Sequence, residues 1–156
     1  MNNNKSDNLA KIDITLYHPE GQNGIFQDVT GKDQCCIFQN FSIGRSPKCN
    51  LQLNHKFISR RHFELEPYFI KGNPYLCFSL KNLSHKGILK VNGMNIEYLQ
   101  KTPIHAKNTI LFSGFQMLVT VDQSVSWDGY VCEIHVSDSP VIHMKQPEEN
   151  DESDVI

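Results

Sequence analysis

Apolar residues in this chain come in short runs rich in β-branched and aromatic side chains, broken by turn residues roughly every 8–15 positions, a spacing that predicts strands rather than helices. The segments are Ile12–Tyr17, Gln34–Phe38, Phe41–Ile43, Leu51–Leu53, Phe63–Tyr68, Tyr75–Asn82, Ile88–Val91, Met94–Ile96, Thr109–Phe112, Gln116–Val121, Tyr130–Val136 and Val141–His143. Within Leu76-Cys77-Phe78-Ser79-Leu80 and Val131-Cys132-Glu133-Ile134-His135 apolar and mixed positions alternate, as a half-buried strand requires. Turn signals fall between the runs at Pro19-Glu20-Gly21, Gly31-Lys32-Asp33, Lys71-Gly72-Asn73-Pro74, Asn92-Gly93 and Ser113-Gly114. Asn92-Gly93 is the dipeptide best suited to a two-residue hairpin, because both of its positions need positive φ. No segment carries the period of a long amphipathic helix. So many short strands bury their apolar faces by packing two sheets together, which predicts an all-β, two-sheet β-sandwich of about eleven strands.

The pattern also sets the boundaries. Residues 1–10 are expected to be a flexible N-terminus, residues 11–144 the sandwich with an extra C-terminal β extension over 126–143, and residues 145–156 a disordered acidic tail or linker. At 156 residues one core suffices. No apolar run approaches the ~20 residues of a membrane-spanning helix, and the start lacks a secretory signal, so an intracellular protein is expected. Five cysteines without a C-x-x-C pair fit reduced, mostly buried thiols. The net charge is -2, and the tail Glu148–Asp154 holds five acids, so the remainder carries +3. That balance points to neither nucleic acid nor membrane as a partner, and a mildly basic body suits an acidic ligand.

Candidate chemistry lies in two turns. Gly44-Arg45-Ser46 follows the run Phe41–Ile43, and Ser59-Arg60-Arg61-His62 lies fourteen residues beyond Arg45. Arginine offers a rigid fork that pairs two phosphate oxygens at once, and serine adds a hydroxyl and an N–H in a confined loop. In a sandwich the loops at one end lie together, so these turns and Ser84-His85-Lys86-Gly87 are expected to converge on one anion. Cys49, His55 and His62 have spacings of six and seven that match no common zinc motif, so no metal and no cofactor is expected. Nucleotide-loop, nucleophile-elbow and kinase motifs are absent from the sequence, so this chain is not expected to be an enzyme.

With G-R-S, then S-x-x-H, then an Asn-x-Ser turn leading to Val91-Asn92-Gly93, the chain resembles the forkhead-associated (FHA) family of phosphothreonine-binding modules from about Ile12 to Val121. The resemblance implies phosphopeptide binding by Arg45, Ser59, Arg60, His85 and Lys86, with structural support of the site from Gly44, His62, Asn82 and Gly87. His62 would buttress the loops rather than touch phosphate. His85 stands where many members have Thr or Ser, and Lys86 where the family has Asn, so donors remain while the acceptor half of the peptide contact is lost. Gly87-Ile88-Leu89-Lys90-Val91-Asn92-Gly93 is one residue longer than the usual turn.

The implied partner is a phosphothreonine-containing protein or peptide, with another copy of the same protein as one option. By analogy of layout, the resemblance suggests the N-terminal part of a nuclear serine/threonine kinase of the DNA-damage or meiotic checkpoint, and hence the nucleus. The alternative is a degenerate FHA scaffold whose interactions ignore phosphate, favoured by Lys86 and the extra residue.

Overall fold

The computed structural model describes residues 9–29, 34–36, 38–125 and 129–142. Among them are twelve strands: β1 (Ala10–Tyr17), β2 (Gln34–Cys36), β3 (Phe41–Gly44), β4 (Leu51–Gln52), β5 (Phe63–Tyr68), β6 (Cys77–Asn82), β7 (Leu89–Val91), β8 (Met94–Asn95), β9 (Lys101–Pro103), β10 (Lys107–Phe112), β11 (Phe115–Asp122) and β12 (Tyr130–Val136). They form a seven-stranded sheet ordered β2-β12-β1-β11-β10-β7-β8 and a five-stranded sheet ordered β4-β3-β5-β6-β9. The expected all-β sandwich is therefore observed, with one short 3-10 turn at Gly21–Asn23 as its helical content among the described residues. None of these is long and apolar enough to cross a membrane as a helix.

Alternation places the core between the sheets. Ala10, Ile12, Ile14 and Leu16 of β1 face Phe41, Ile43, Phe63, Leu65, Phe78 and Leu80 of the smaller sheet across a fully buried interior. At the end that carries the motif loops Phe63 packs edge-on against Phe112 (centroids 4.9 Å apart), which stacks on Phe115 (5.2 Å). The β7–β8 turn takes positive φ at Asn92 (51°) and Gly93 (85°), as its sequence predicts.

The C-terminal extension resolves into β12, which lies parallel to β1 and inserts Tyr130, Cys132 and Ile134 into the core. Tyr130 packs edge-on against Phe78 (4.9 Å) and donates to the carbonyl of Gln39 (2.5 Å), so this strand is part of the sandwich rather than an appendage. On its outer face Lys11 Nζ sits 3.2 Å from Glu133 and 3.9 Å from Asp13, a cation between facing carboxylates.

Several boundaries differ from expectation. Ala10, grouped with the flexible N-terminus, is buried and begins β1 opposite Tyr130. The strand expected over Val141–His143 is not formed at its described residues. The chain bends at Val141 and Ile142, and both N–H groups donate to the Gln116 side-chain oxygen (3.0 and 3.1 Å) instead of a ladder. β9, absent from the expected strands, carries no alternating pattern, because it is held by backbone pairing to β6 rather than by an apolar face. Of the free thiols described, Cys132 is buried while Cys49 and Cys77 are half-buried, a more open set than expected. Most of the N-terminal segment, residues 126–128 with Trp127, and the acidic tail at 145–156 lie outside the described residues.

Candidate functional site

β3 ends at Gly44, and the loop after it lies against the loop that leads into β5. Arg45 N–H donates to the Ser59 carbonyl (2.9 Å) and Ser46 N–H to the Arg60 carbonyl (3.0 Å), while His62 N–H returns to Ile43 (2.8 Å). The two turns thus continue the β3–β5 pairing past the sheet edge. Gly44 is required by that closeness: a Cβ there would sit 2.3 Å from the Arg60 carbonyl oxygen and 3.0 Å from Arg61 Cα. The exposed Arg45 side chain is aimed by one further bond, from Nε to the Ile58 carbonyl (3.0 Å), which leaves both terminal amino groups for a ligand. Gln52 and Ser46 brace the same turn, through Gln52 Nε2 to the Arg45 carbonyl (3.1 Å) and Lys48 N–H to Ser46 Oγ (3.1 Å).

Ser59 is fixed from two sides. Its N–H donates to His62 Nδ1 (3.0 Å), so the neutral ring carries its proton on Nε2, and its hydroxyl lies 2.6 Å from that of Ser84. His62 is 1% exposed and tilted against Phe112, and its pKa is pushed down to about 4, chiefly by burial and also by the positive charge of Lys86. It is a structural histidine holding Ser59.

The β6–β7 loop supplies the third side. Asn82, 5% exposed, donates from Nδ2 to the Ile96 carbonyl (2.9 Å) and accepts the Ser84 N–H (2.9 Å). Ser84, 4% exposed, accepts the Lys86 N–H (2.9 Å). A hydroxyl has one proton. Lys86 N–H engages one of the two lone pairs of Ser84, so the Ser59–Ser84 hydroxyl pair shares its proton in either direction and fixes the Ser59 oxygen at the site. Gly87 closes the loop at φ 66°, a conformation open to glycine and strained for most other residues.

The structure therefore brings Gly44, Arg45, Ser59, His62, Asn82, Ser84 and Lys86 into one constellation at the motif end of the sandwich. Arg60 stands exposed in the same loop, and its carbonyl accepts both Ser46 N–H and the Cys49 thiol (3.2 Å). Arg61 turns away into an ion pair with Glu64 (2.9 Å). His85 is exposed, and its ring packs on Tyr98 with centroids 3.6 Å apart. Ser84, expected only to lie in a turn that converges on the anion, touches the Ser59 hydroxyl directly. Its signal was the spacing Asn82-x-Ser84, which places the hydroxyl one residue before the loop tip. The turns that meet here carry a guanidinium, a hydroxyl and an ammonium, a donor set suited to a doubly charged oxyanion.

Comparison with known proteins places the chain in a family. A model of the FHA domain matches residues 41–113. The human TRAF-interacting protein with FHA domain-containing protein B is 41% identical over 144 residues, covering 92% of this chain and 89% of that protein. The mouse protein of the same name is 38% identical over 92% of this chain and 97% of that protein. A crystal structure of a MEK1 FHA domain with a HOP1 phosphothreonine peptide matches with a TM-score of 0.47 and 22% identity, over 53% of this chain and 80% of that one. These curated relatives are TRAF-interacting proteins by name and not checkpoint kinases, so the kinase layout expected from the sequence gains no support from them. The chain belongs to the FHA-domain family of protein-interaction modules, in the branch represented by the TRAF-interacting FHA-domain-containing proteins.

Proposed function

We propose that this chain is a phosphothreonine-dependent binding module that docks a kinase-modified partner, and that it serves as an adaptor in assemblies that include TRAF proteins, as the names of its relatives suggest. The observation that carries the first part is the coupling of Arg45 to the Ser59 turn through two hydrogen bonds, to the carbonyls of Ser59 and Ile58. A guanidinium so fixed gains most from a bidentate, doubly charged acceptor. A charge-assisted bond contributes about 1.5–3 kcal/mol, so Arg45, Ser59 and Lys86 together supply the scale of micromolar binding, about 8 kcal/mol, only if most are made.

Calorimetry with a peptide selected from a phosphothreonine library, and with its unmodified threonine counterpart, tests the reading. Arg45→Ala is expected to keep its thermal melt and to lose about 100-fold or more in affinity for the phosphorylated form. Unchanged affinity overturns the role of Arg45. The second reading, a scaffold indifferent to phosphate, is favoured by Lys86 in place of the family's Asn and by a His85 packed on Tyr98. It requires equal binding of both peptides.

A further inference from the structure

The outer face of the five-stranded sheet holds a hydroxyl that the fold leaves unpaired. Phe78 and Leu80 of β6 are core residues, so Ser79 between them points the other way, onto the outer face. Its cross-strand neighbours cover it, Glu66 of β5 on one side and Pro103 of β9 on the other. Ser79 is only 8% exposed, and its hydroxyl has no hydrogen-bond partner among the described residues. A buried hydroxyl in that state calls for a partner, because its desolvation is otherwise uncompensated. A cavity of about 400 Å³ opens over it, with Glu66, Tyr68, Lys101 and Pro103 in the lining. The charges of this lining cancel, since Lys101 Nζ lies 2.7 Å from Glu66. Burial, and secondarily Cys77, push the Tyr68 phenol up, so it stays neutral as well. Two rings and a neutralised ion pair suit an uncharged ring with one polar atom, unlike the cationic turns around Arg45. The groove also lies apart from those turns: Glu66 and Tyr68 follow His62 by four and six residues, about 13 and 20 Å at the rise of a strand.

The sheet edge says how such a ring would arrive. β9 is the last strand of its sheet. Ile104 N–H donates to the Phe78 carbonyl (3.0 Å) and Asn82 N–H to the Gln100 carbonyl (3.1 Å), so the even-numbered residues face β6. Lys101, between them, directs its N–H and carbonyl to the open edge, where an extended chain can pair. A side chain on that added strand must cross two strand spacings, about 9.5 Å, to reach Ser79. A tyrosine side chain and one hydrogen bond span this gap, and phenylalanine lacks the hydroxyl that completes it. We infer that the groove is a second binding site, which takes a tyrosine presented on an extended segment of a partner protein, its ring against Tyr68 and Pro103 and its hydroxyl on Ser79. This site does not depend on the phosphate reading.

NMR titration of the full chain tests it, with three probes: the capped tripeptide threonine-tyrosine-threonine, its phenylalanine counterpart, and p-cresol as a ring without a backbone. Saturable shifts are expected at the amides of Tyr68, Ser79, Lys101 and Thr102, with the phenylalanine peptide about fivefold weaker for want of one hydrogen bond. Ser79→Ala should bring the tyrosine peptide down to the phenylalanine level. The same variant should melt no lower than the parent, because the hydroxyl it removes has no partner in the fold. A lower Tm would mean that Ser79 is already satisfied, and would overturn the site. So would the absence of saturable shifts, shifts centred on Arg45 and Ser59, equal affinity for the two peptides, or a tyrosine preference that survives Ser79→Ala. Binding of p-cresol as tight as that of the tyrosine peptide overturns the chain-borne occupant.

Discussion

Gly44→Ala is the sharpest probe of how the site is assembled, because the atoms it strikes are all backbone. The added methyl would lie 2.3 Å from the Arg60 carbonyl oxygen, 2.9 Å from its carbon and 3.0 Å from Arg61 Cα, so no side-chain rotation relieves it. The two turns must part by about 1 Å, and overpacking of this kind costs about 1–3 kcal/mol. Parting them stretches the Arg45 N–H to Ser59 and Ser46 N–H to Arg60 bonds, each contributing about 0.5–1.5 kcal/mol. A loss of about 2–5 kcal/mol is expected, or a Tm lower by about 5–15 °C for a chain of this size. Gly87→Ala gives the contrast: at φ 66° with open space around it, it carries only left-handed strain of about 1–2 kcal/mol. Urea and thermal unfolding measure both variants, and calorimetry with a phosphothreonine peptide measures the site, where Gly44→Ala should weaken binding at least tenfold because Arg45 and Ser59 move apart. A Gly44→Ala protein with a Tm within 2 °C of the parent, roughly the shift of a sub-kcal/mol change, and with unchanged affinity would refute the close apposition.

Two further outcomes follow from the hydrogen-bond network. Ser84→Ala removes the acceptor of Lys86 N–H and the hydroxyl partner of Ser59, so calorimetry should show phosphopeptide affinity falling about tenfold without loss of the fold; parental affinity would mean that Ser59 needs no such partner. His62 is ordinarily half-protonated near 6.5 but is held down to about 4 in the fold, so between those values the unfolded chain binds a proton that the folded chain refuses. The stability His62 confers is therefore full above about pH 6.5 and is lost as pH falls towards 4, by on the order of 3 kcal/mol at the acid end. Protonation of Nδ1 also ends its acceptance of Ser59 N–H, so ligand affinity should fall in the same window. NMR titration of the His62 ring reads this directly, and a midpoint near 6.5 would sink it.

How far the sequence reaches is seen best by comparing Arg45 with Leu99. Arg45, Ser59 and His62 are legible because their chemistry and spacing are local: a glycine turn, a hydroxyl and an imidazole fall on two short loops whose strands pair directly, so the register of β3 and β5 carries them together. The sandwich is legible for the same reason, since period-two alternation marks the faces of β1, β11 and β12. What escapes is set by long-range closure. β9 is a strand through its pairing with β6 and not through its own pattern, and the end of the chain near Val141 reads as apolar yet is captured by one glutamine side chain. Ser84 gains its importance from a hydroxyl that arrives from twenty-five positions away. Leu99 reads as an ordinary leucine in a polar loop, and only its backbone torsion and its bond to Asn82 reveal that the fold holds it outward. The same buried asparagine fixes the Ser84 turn on one side and the Tyr98–Leu99 loop on the other. A change at Asn82 should therefore loosen both loops and lower the Tm, whereas a change at Arg45 or at Tyr98 should leave the other loop in place.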